Sequence, residues 1–224
     1  MASLRSKYYD LFSHWYDGFV ALHSRDRQGG LRKHMASLAD LQSGNTVLDL
    51  CTGTGAQLAE LHLRVAPDGR VLGVDFSRGM LRKALAKCER LSGIELIRAD
   101  VAYLPFKKKT FDGVTCSHAF YELSRQASGQ CLREIVRVLK PGRPFLMMEH
   151  DVPTNRFIRL LFYARIFVMG RRRALEILRD EAGFFGGYFD RVEKVSTESG
   201  QSKILICRSD ENCVEGRASS AGRI

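Results

Sequence analysis

No stretch of this chain stays apolar for long. Charges interrupt every hydrophobic segment well before the ~18 residues that a membrane-spanning helix requires, so none reads as transmembrane. The opening "MASLRSKYYDLFSHWYDGF" is aromatic and charged and lacks the continuous apolar core of a secretory signal, so the expected compartment is the cytoplasm. The six cysteines (Cys51, Cys88, Cys116, Cys131, Cys207 and Cys213) show no metal-ligand or redox spacing; most sit in apolar runs and are expected to be buried thiols. The six histidines form no ligand cluster, so no metal is expected. Internal repeats are absent. A net charge of +10 favours anionic partners in general, but no RNA- or DNA-binding signature accompanies it, so no nucleic-acid partner is expected.

What is present suits one domain with a full core: 224 residues, 45% of them hydrophobic. Apolar β-branched runs alternate with amphipathic segments, the pattern of an α/β fold with a mostly parallel sheet. The expected order is a strand at Thr46–Leu50, a helix at Ala56–Val65, and a strand at Arg70–Asp75. A helix capped by Ser77 then runs to Arg90, with Met80, Leu81, Ala84, Leu85 and Cys88 on one face. Strands follow at Ile94–Ala99 and Thr110–Cys116, a helix at Gln126–Leu139 closed by Lys140-Pro141-Gly142, and a strand at Arg143–Glu149. Helices are expected at Asn155–Met169 and Arg173–Glu181, the second ended by Gly183. Two final runs, Tyr188–Ser196 and Lys203–Arg208, read as a hairpin, which puts antiparallel pairing at one edge of a doubly wound, Rossmann-like, seven-stranded sheet. The organisation expected is an N-terminal helical lid over 1–41, a main domain over 42–208 with a helical insertion at 152–182, and a disordered tail over 209–224.

In such a sheet, ligands bind beyond the carboxyl ends of the strands. The residues there are Asp49 with Cys51-Thr52-Gly53-Thr54-Gly55, then Asp75 and Phe76, Asp100 and Val101, Ser117 and His118, and His150 and Asp151. Asp75 stands twenty residues beyond Gly55, where a carboxylate accepts both hydroxyls of a ribose. A dinucleotide fits poorly: Leu58 occupies the position of the third glycine in the G-x-G-x-x-G pattern, and Asp49 would repel pyrophosphate. An anion there suits a cationic ligand such as S-adenosylmethionine, with its ammonium and sulfonium.

The stretches "VLDLCTGTG", "VLGVDFSRGML", "RADVAYLPFKKKTFDGVTCSHAFYEL" and "LREIVRVLKPGRPFLMMEHDVPTN" resemble the class I S-adenosylmethionine-dependent methyltransferases, and within them the ubiquinone/menaquinone-biosynthesis C-methyltransferase group. The resemblance implies that Gly53 and Gly55 let backbone approach the methionine portion of the donor and that Asp75 holds the ribose. Phe76 would lie along the adenine, Asp100 would accept from its amino group, and the Val101 backbone would touch the ring. Ser117 would sit near the sulfonium. Asp49, Cys51, Thr52 and Met80 complete the implied lining, and Tyr9 and Tyr16 match a lid segment. Two departures stand out: Cys51 replaces the family's usual glycine or alanine, and the segment after the fifth strand is shorter and richer in arginine.

Methyl transfer needs alignment more than it needs acid. A base is required only for an acceptor that must lose a proton, such as a phenol or hydroquinone. His118 and His150 are the candidates, since the reference pKa of histidine, ~6.5, suits neutral pH; Glu149, Asp151 and Tyr121 are candidates to orient the acceptor. The expected activity is therefore methyl transfer to a small or lipophilic acceptor, quinol or phenol type favoured. N-methylation of an amine or phospholipid headgroup stays open, as does a regulatory protein that binds the cofactor without turnover; a nicotinamide enzyme is disfavoured. The segment from Val152 to Arg173 carries arginines and aromatics without one carboxylate. It reads as a lid over a lipophilic or anionic acceptor, with peripheral contact to an anionic membrane through Arg171–Arg173 and Lys107–Lys109 as an open partner.

Overall fold

The computed structural model describes residues 30–153, 155–168, 172–197 and 202–210. Helix α1 (Gly30–Ser37) precedes β1 (Thr46–Leu50), α2 (Ala56–Val65), β2 (Arg70–Asp75), α3 (Arg78–Cys88), β3 (Ile94–Arg98) and β4 (Gly113–Ser117). A 3-10 turn (Phe120–Glu122) leads to α4 (Arg125–Val138) and β5 (Phe145–His150). Three helices follow, α5 (Arg156–Val168), α6 (Arg172–Arg179) and α7 (Glu181–Gly186), then β6 (Arg191–Ser196) and β7 (Ser202–Arg208).

The strands form one seven-stranded sheet in the order β3-β2-β1-β4-β5-β7-β6. The pairings from β3 to β5 are parallel, while β7 runs antiparallel to both β5 and β6. The hairpin therefore closes the sheet by inserting its second strand beside β5. Order reverses between β1 and β4, so the crevice that α/β sheets use for ligands opens above the ends of those strands.

The parallel strands are apolar nearly throughout because both faces are covered. Leu48, Leu50, Leu72, Val74, Phe145, Met147, Leu205 and Cys207 point into a core with α4, α6 and α7. Their alternates point the other way. Val47 and Val71 meet α2, and Leu146, Met148, Ile204 and Ile206 meet Met35 of α1. The described end of the N-terminal segment is thus built into the core, with Met35 and Ala39 fully buried.

Several boundaries differ from the sequence expectation for definable reasons. Strand β4 starts at Gly113 rather than Thr110 because Phe111 makes an isolated bridge to Leu139 instead. The Asp112 carboxylate there accepts from the Thr46 amide (3.0 Å) and from Lys140 (2.8 Å). Helix α3 ends at Cys88, and Leu85, expected on the inner face, is exposed. Gly183 does not end α6. Asp180 breaks the chain and caps α7, its Oδ1 accepting from the Gly183 amide at 2.8 Å. A Cβ at Gly183 would lie 2.0 Å from Asp180 Oδ2, so the glycine makes room for the cap. Tyr188 and Phe189 follow α7 rather than opening β6, and Phe189 stacks on Phe145 in the core.

Candidate active site

Strand β1 ends in a turn of unusual backbone. Cys51, Gly53 and Gly55 all have positive φ (52°, 56° and 77°), and Gly55 caps α2 without a side-chain hydrogen bond. Non-glycine residues rarely adopt this conformation, which makes Cys51 the strained member. The turn is held from both neighbours. The Thr52 amide donates to the Val74 carbonyl (3.0 Å) and the Gly55 amide to the Thr52 carbonyl (2.9 Å). Lys87 of α3 donates to the Thr54 hydroxyl (3.2 Å). The glycine at 55 is demanded by helix packing: a Cβ there would sit 2.9 Å from Ala84 Cβ and 3.3 Å from Leu58. Leu58, expected to spoil a close helix approach, is fully buried against Val47, Leu61 and Val71.

Two carboxylates organise the turn. Asp75, the last residue of β2, accepts from the Gly53 amide through Oδ2 and from the Ser77 amide through Oδ1, both at 2.9 Å. Asp49 is buried within β1, and the Thr52 and Thr115 hydroxyls each donate to one of its oxygens at 2.7 Å. Burial raises its pKa to about 6, against the lowering pull of those hydroxyls and of Arg32. Arg32, on α1, was not singled out by sequence; its charge reaches both Asp49 and His118. Only the packing of α1 over the sheet reveals it, since nothing distinguishes "LRKH" from any basic helix end.

The other expected residues fall along the same edge. Phe76 is half-buried, and Met80 is buried in the first turn of α3, its amide donating to the Ser77 hydroxyl at 3.2 Å. The Ala99 amide donates to the Asp75 carbonyl (3.2 Å), which sets Asp100 beside the β2 end. Asp100 is exposed and accepts from the Ala102 amide (2.9 Å), while the Val101 side chain joins the core. Tyr9 and Tyr16 lie outside the described residues.

Across the crevice, Ser117 ends β4 in register with Met148, and the His118 amide donates to the Met148 carbonyl (2.8 Å). His118 has φ 52°, and its ring lies 4.8 Å from that of His150 at a tilt of 37°. The His118 Nδ1 is buried and has no hydrogen-bond partner among the described residues. Burial, then His150 and Arg32, push its pKa down to about 3. The reference value of ~6.5 used in reading the sequence is therefore corrected: His118 is neutral at physiological pH. Cys116 on β4 touches the Cys51 thiol, and that contact and burial push its own thiol pKa up.

The orienting residues divide. Asp151 faces the hairpin, held by Lys194 (2.7 Å) and Ser196 (3.4 Å). The Tyr121 hydroxyl donates to Glu181 of α7, and its amide to the buried Glu149 (3.3 Å). Lys203 is completely buried beneath this group, 2.5 Å from Glu181 and 5.4 Å from the Tyr121 ring centroid, although its Nζ lacks hydrogen-bond alignment. Asp151 and Tyr121 thus fasten the helical insertion to the sheet. Lys107–Lys109 precede β4, where the Lys109 amide donates to the Arg137 carbonyl at the end of α4 (2.9 Å), whereas the insertion leaves the carboxyl end of β5.

A doubly wound sheet closed by an antiparallel β7 between β5 and β6, with a carboxylate in β1 and another ending β2, is the class I methyltransferase fold. A sequence profile described as "Methyltransferase domain" matches residues 47–142. The chain is 34% identical over 158 residues to a demethylmenaquinone methyltransferase of Symbiobacterium thermophilum, covering 69% of this chain and 62% of that one. It thus spans about three fifths of that relative's length. A demethylmenaquinone methyltransferase of Desulfitobacterium hafniense is 31% identical over 182 residues, 75% of this chain and 70% of its own. A S-adenosylmethionine-dependent methyltransferase of Aquifex aeolicus superposes with a TM-score of 0.58 at 21% identity, covering 79% of this chain and 88% of that one. The chain belongs to the S-adenosylmethionine-dependent methyltransferase family.

Proposed function

We propose that the chain moves a methyl group from S-adenosylmethionine to a small or lipophilic acceptor of the quinol or phenol type. The observation that carries this is the pairing of two half-sites across the β1–β4 crevice: Asp75 bound to the Gly53 and Ser77 amides on one side, and the His118–His150 pair on the other. The names of the relatives support a quinone-type acceptor.

The donor set fits the cofactor. Asp75 ends β2 at the crevice with its carboxylate anchored to the Gly53 and Ser77 amides, and a carboxylate in that place suits a vicinal diol. Asp49 meets the ammonium, and Arg32 is the matching partner for the donor's carboxylate. Phe76 and the Val101 backbone flank the adenine, Asp100 accepts from its amino group, and Met80, Cys51 and Thr52 complete the wall. Ser117, ending β4, stands next to the transfer point. When bound, S-adenosylmethionine supplies an electrophilic methyl group on a sulfur that leaves neutral.

His118 accepts a hydrogen bond from the acceptor hydroxyl and orients it. With a pKa of about 3 the neutral ring holds the hydroxyl by a hydrogen bond and leaves the proton on the acceptor oxygen. His150, tilted against it at 4.8 Å, fixes the ring.

Incubation with methyl-labelled donor and a panel of hydroquinones, phenols, amines and phospholipids tests the reading. Label in the hydroquinone or phenol class is expected. Transfer to amines or headgroups alone would replace the acceptor assignment. Donor binding without transfer to any class would favour a regulatory protein.

A further inference from the structure

We infer that the outward face of α5 docks the chain on an anionic bilayer surface. The inference rests on the lipophilic-acceptor reading, because a bilayer is where such an acceptor dissolves. Its physical basis is the helix itself. Phe157, Leu160, Leu161 and Tyr163 are 70%, 65%, 54% and 37% exposed. At helical spacing they share one arc with the exposed Arg156, while Phe162 turns inward against the core. A surface helix of a soluble domain normally shows the reverse, polar out and apolar in. Here the chain keeps three large apolar side chains and a tyrosine in water. The helix is held in that pose from its first turn: Asn155 accepts from the Phe157 amide at 2.9 Å.

Charge identifies the occupant. Residues 152–173 contain six arginines and no carboxylate. Arg156 and Arg159 lie on the described helix. An apolar arc flanked by arginine, without an acid to neutralise it, complements acyl chains beneath anionic headgroups. No helix among the described residues is long and apolar enough to cross a membrane, so α5 would lie in the interface plane. The segment follows directly from β5, whose last residue is His150, so docking would hold the acceptor side of the crevice toward the lipid.

Flotation of the full chain with vesicles tests this. Flotation is expected with mixed phosphatidylcholine and phosphatidylglycerol, weakening with salt, and little with phosphatidylcholine alone. Phe157→Ser with Leu160→Ser should lower partitioning at least about tenfold, and Arg156→Gln roughly fivefold. Circular dichroism should be unchanged, since these side chains are exposed. Three results overturn the inference: no flotation of the native chain, equal flotation of the double variant, or a self-associated dimer that the same substitutions dissolve without vesicle binding. Flotation of a chain that methylates no quinol would remove the acceptor reading and leave the docking surface standing.

Discussion

Replacing Gly55 with alanine separates backbone strain from packing in the turn after β1. The added Cβ would stand 2.9 Å from Ala84 Cβ, 3.1 Å from Ala84 Cα and 3.3 Å from Leu58 Cδ1. Two of those atoms belong to a short residue inside α3, which has no rotamer to yield. The backbone also has φ +77°. A left-handed conformation costs an L-residue about 1–2 kcal/mol, partly offset by the unfolded-state entropy that alanine removes, for a net of about 1 kcal/mol. Overpacking adds about 1–3 kcal/mol. Gly142→Ala is the control. Its φ is +72°, yet nothing lies within 4 Å of its Cβ position, so it carries the backbone cost alone. For a domain of this size each kcal/mol lowers Tm by about 2–4 °C. Gly142→Ala should therefore lose about 2–4 °C, and Gly55→Ala about 4–16 °C, in thermal unfolding followed by circular dichroism. Equal shifts for the two variants would refute the claim that α3 packing dictates the glycine at 55.

Asp75→Ala should weaken S-adenosylhomocysteine binding by at least about tenfold in calorimetry, as hydrogen bonds to a charged group contribute about 1.5–3 kcal/mol; unchanged affinity would remove Asp75 from the site. The native pKa of Asp49, about 6, lies above its ordinary value of 3.8, so folding disfavours its ionised form. That cost is absent below about pH 4 and complete above about pH 6, where it reaches roughly 3 kcal/mol. Asp49→Asn should therefore gain stability relative to the native chain as pH rises through that window, and a pH-independent difference in urea unfolding would contradict this. His118→Gln should slow quinol methylation while leaving S-adenosylhomocysteine affinity intact. Because the pKa of His118 is about 3, protonation of its ring should produce no acid limb between pH 5 and 8. Lys203→Met strands Glu181 without its buried cation and should cost about 3–5 kcal/mol in urea unfolding, whereas the pair Lys203→Met with Glu181→Gln should recover most of it.

Local signals carried much of this fold. Strands β1 and β2 and helix α2 fall within the limits read from their apolar runs and from the glycine turns between them, and Ser77 accepts from Met80 as an N-cap should. What depended on tertiary neighbours was not legible. Gly183 looks like a terminator in sequence, but Asp180 uses its amide to start a new helix. Lys107–Lys109 and the arginines after β5 look alike in sequence, but the first run precedes β4 and the second leaves the carboxyl end of its parallel neighbour β5. Leu58 does not by itself exclude a dinucleotide. Leu58 packs without conflict, and the close helix approach is made by Gly55 against Ala84 instead. The candidate edge residues were readable because each lies at or just past the end of a strand, whereas Arg32 precedes the first strand and reaches the crevice only through the packing of α1.

The proposed site sets two histidines near a sulfonium, which makes the charge of the crevice decisive. A protonated imidazole there would repel a cationic donor, and at close range the cost would be several-fold in affinity. Burial, His150 and Arg32 together keep His118 neutral, so its ring adds no positive charge. On the donor side the bias runs the other way. Burial holds Asp49 near the edge of ionisation, with its pKa about 6. A cationic donor beside it would favour the carboxylate and pull that pKa down. Binding should therefore release protons when measured near pH 6, and affinity for S-adenosylmethionine should rise with pH through that value. S-adenosylhomocysteine keeps the ammonium but lacks the sulfonium, so its pH dependence should be shallower. Calorimetry of both ligands in buffers of different ionisation enthalpy measures the released protons directly. Identical proton release for the two would mean that Asp49 responds to the ammonium alone and that the sulfonium lies beyond its reach.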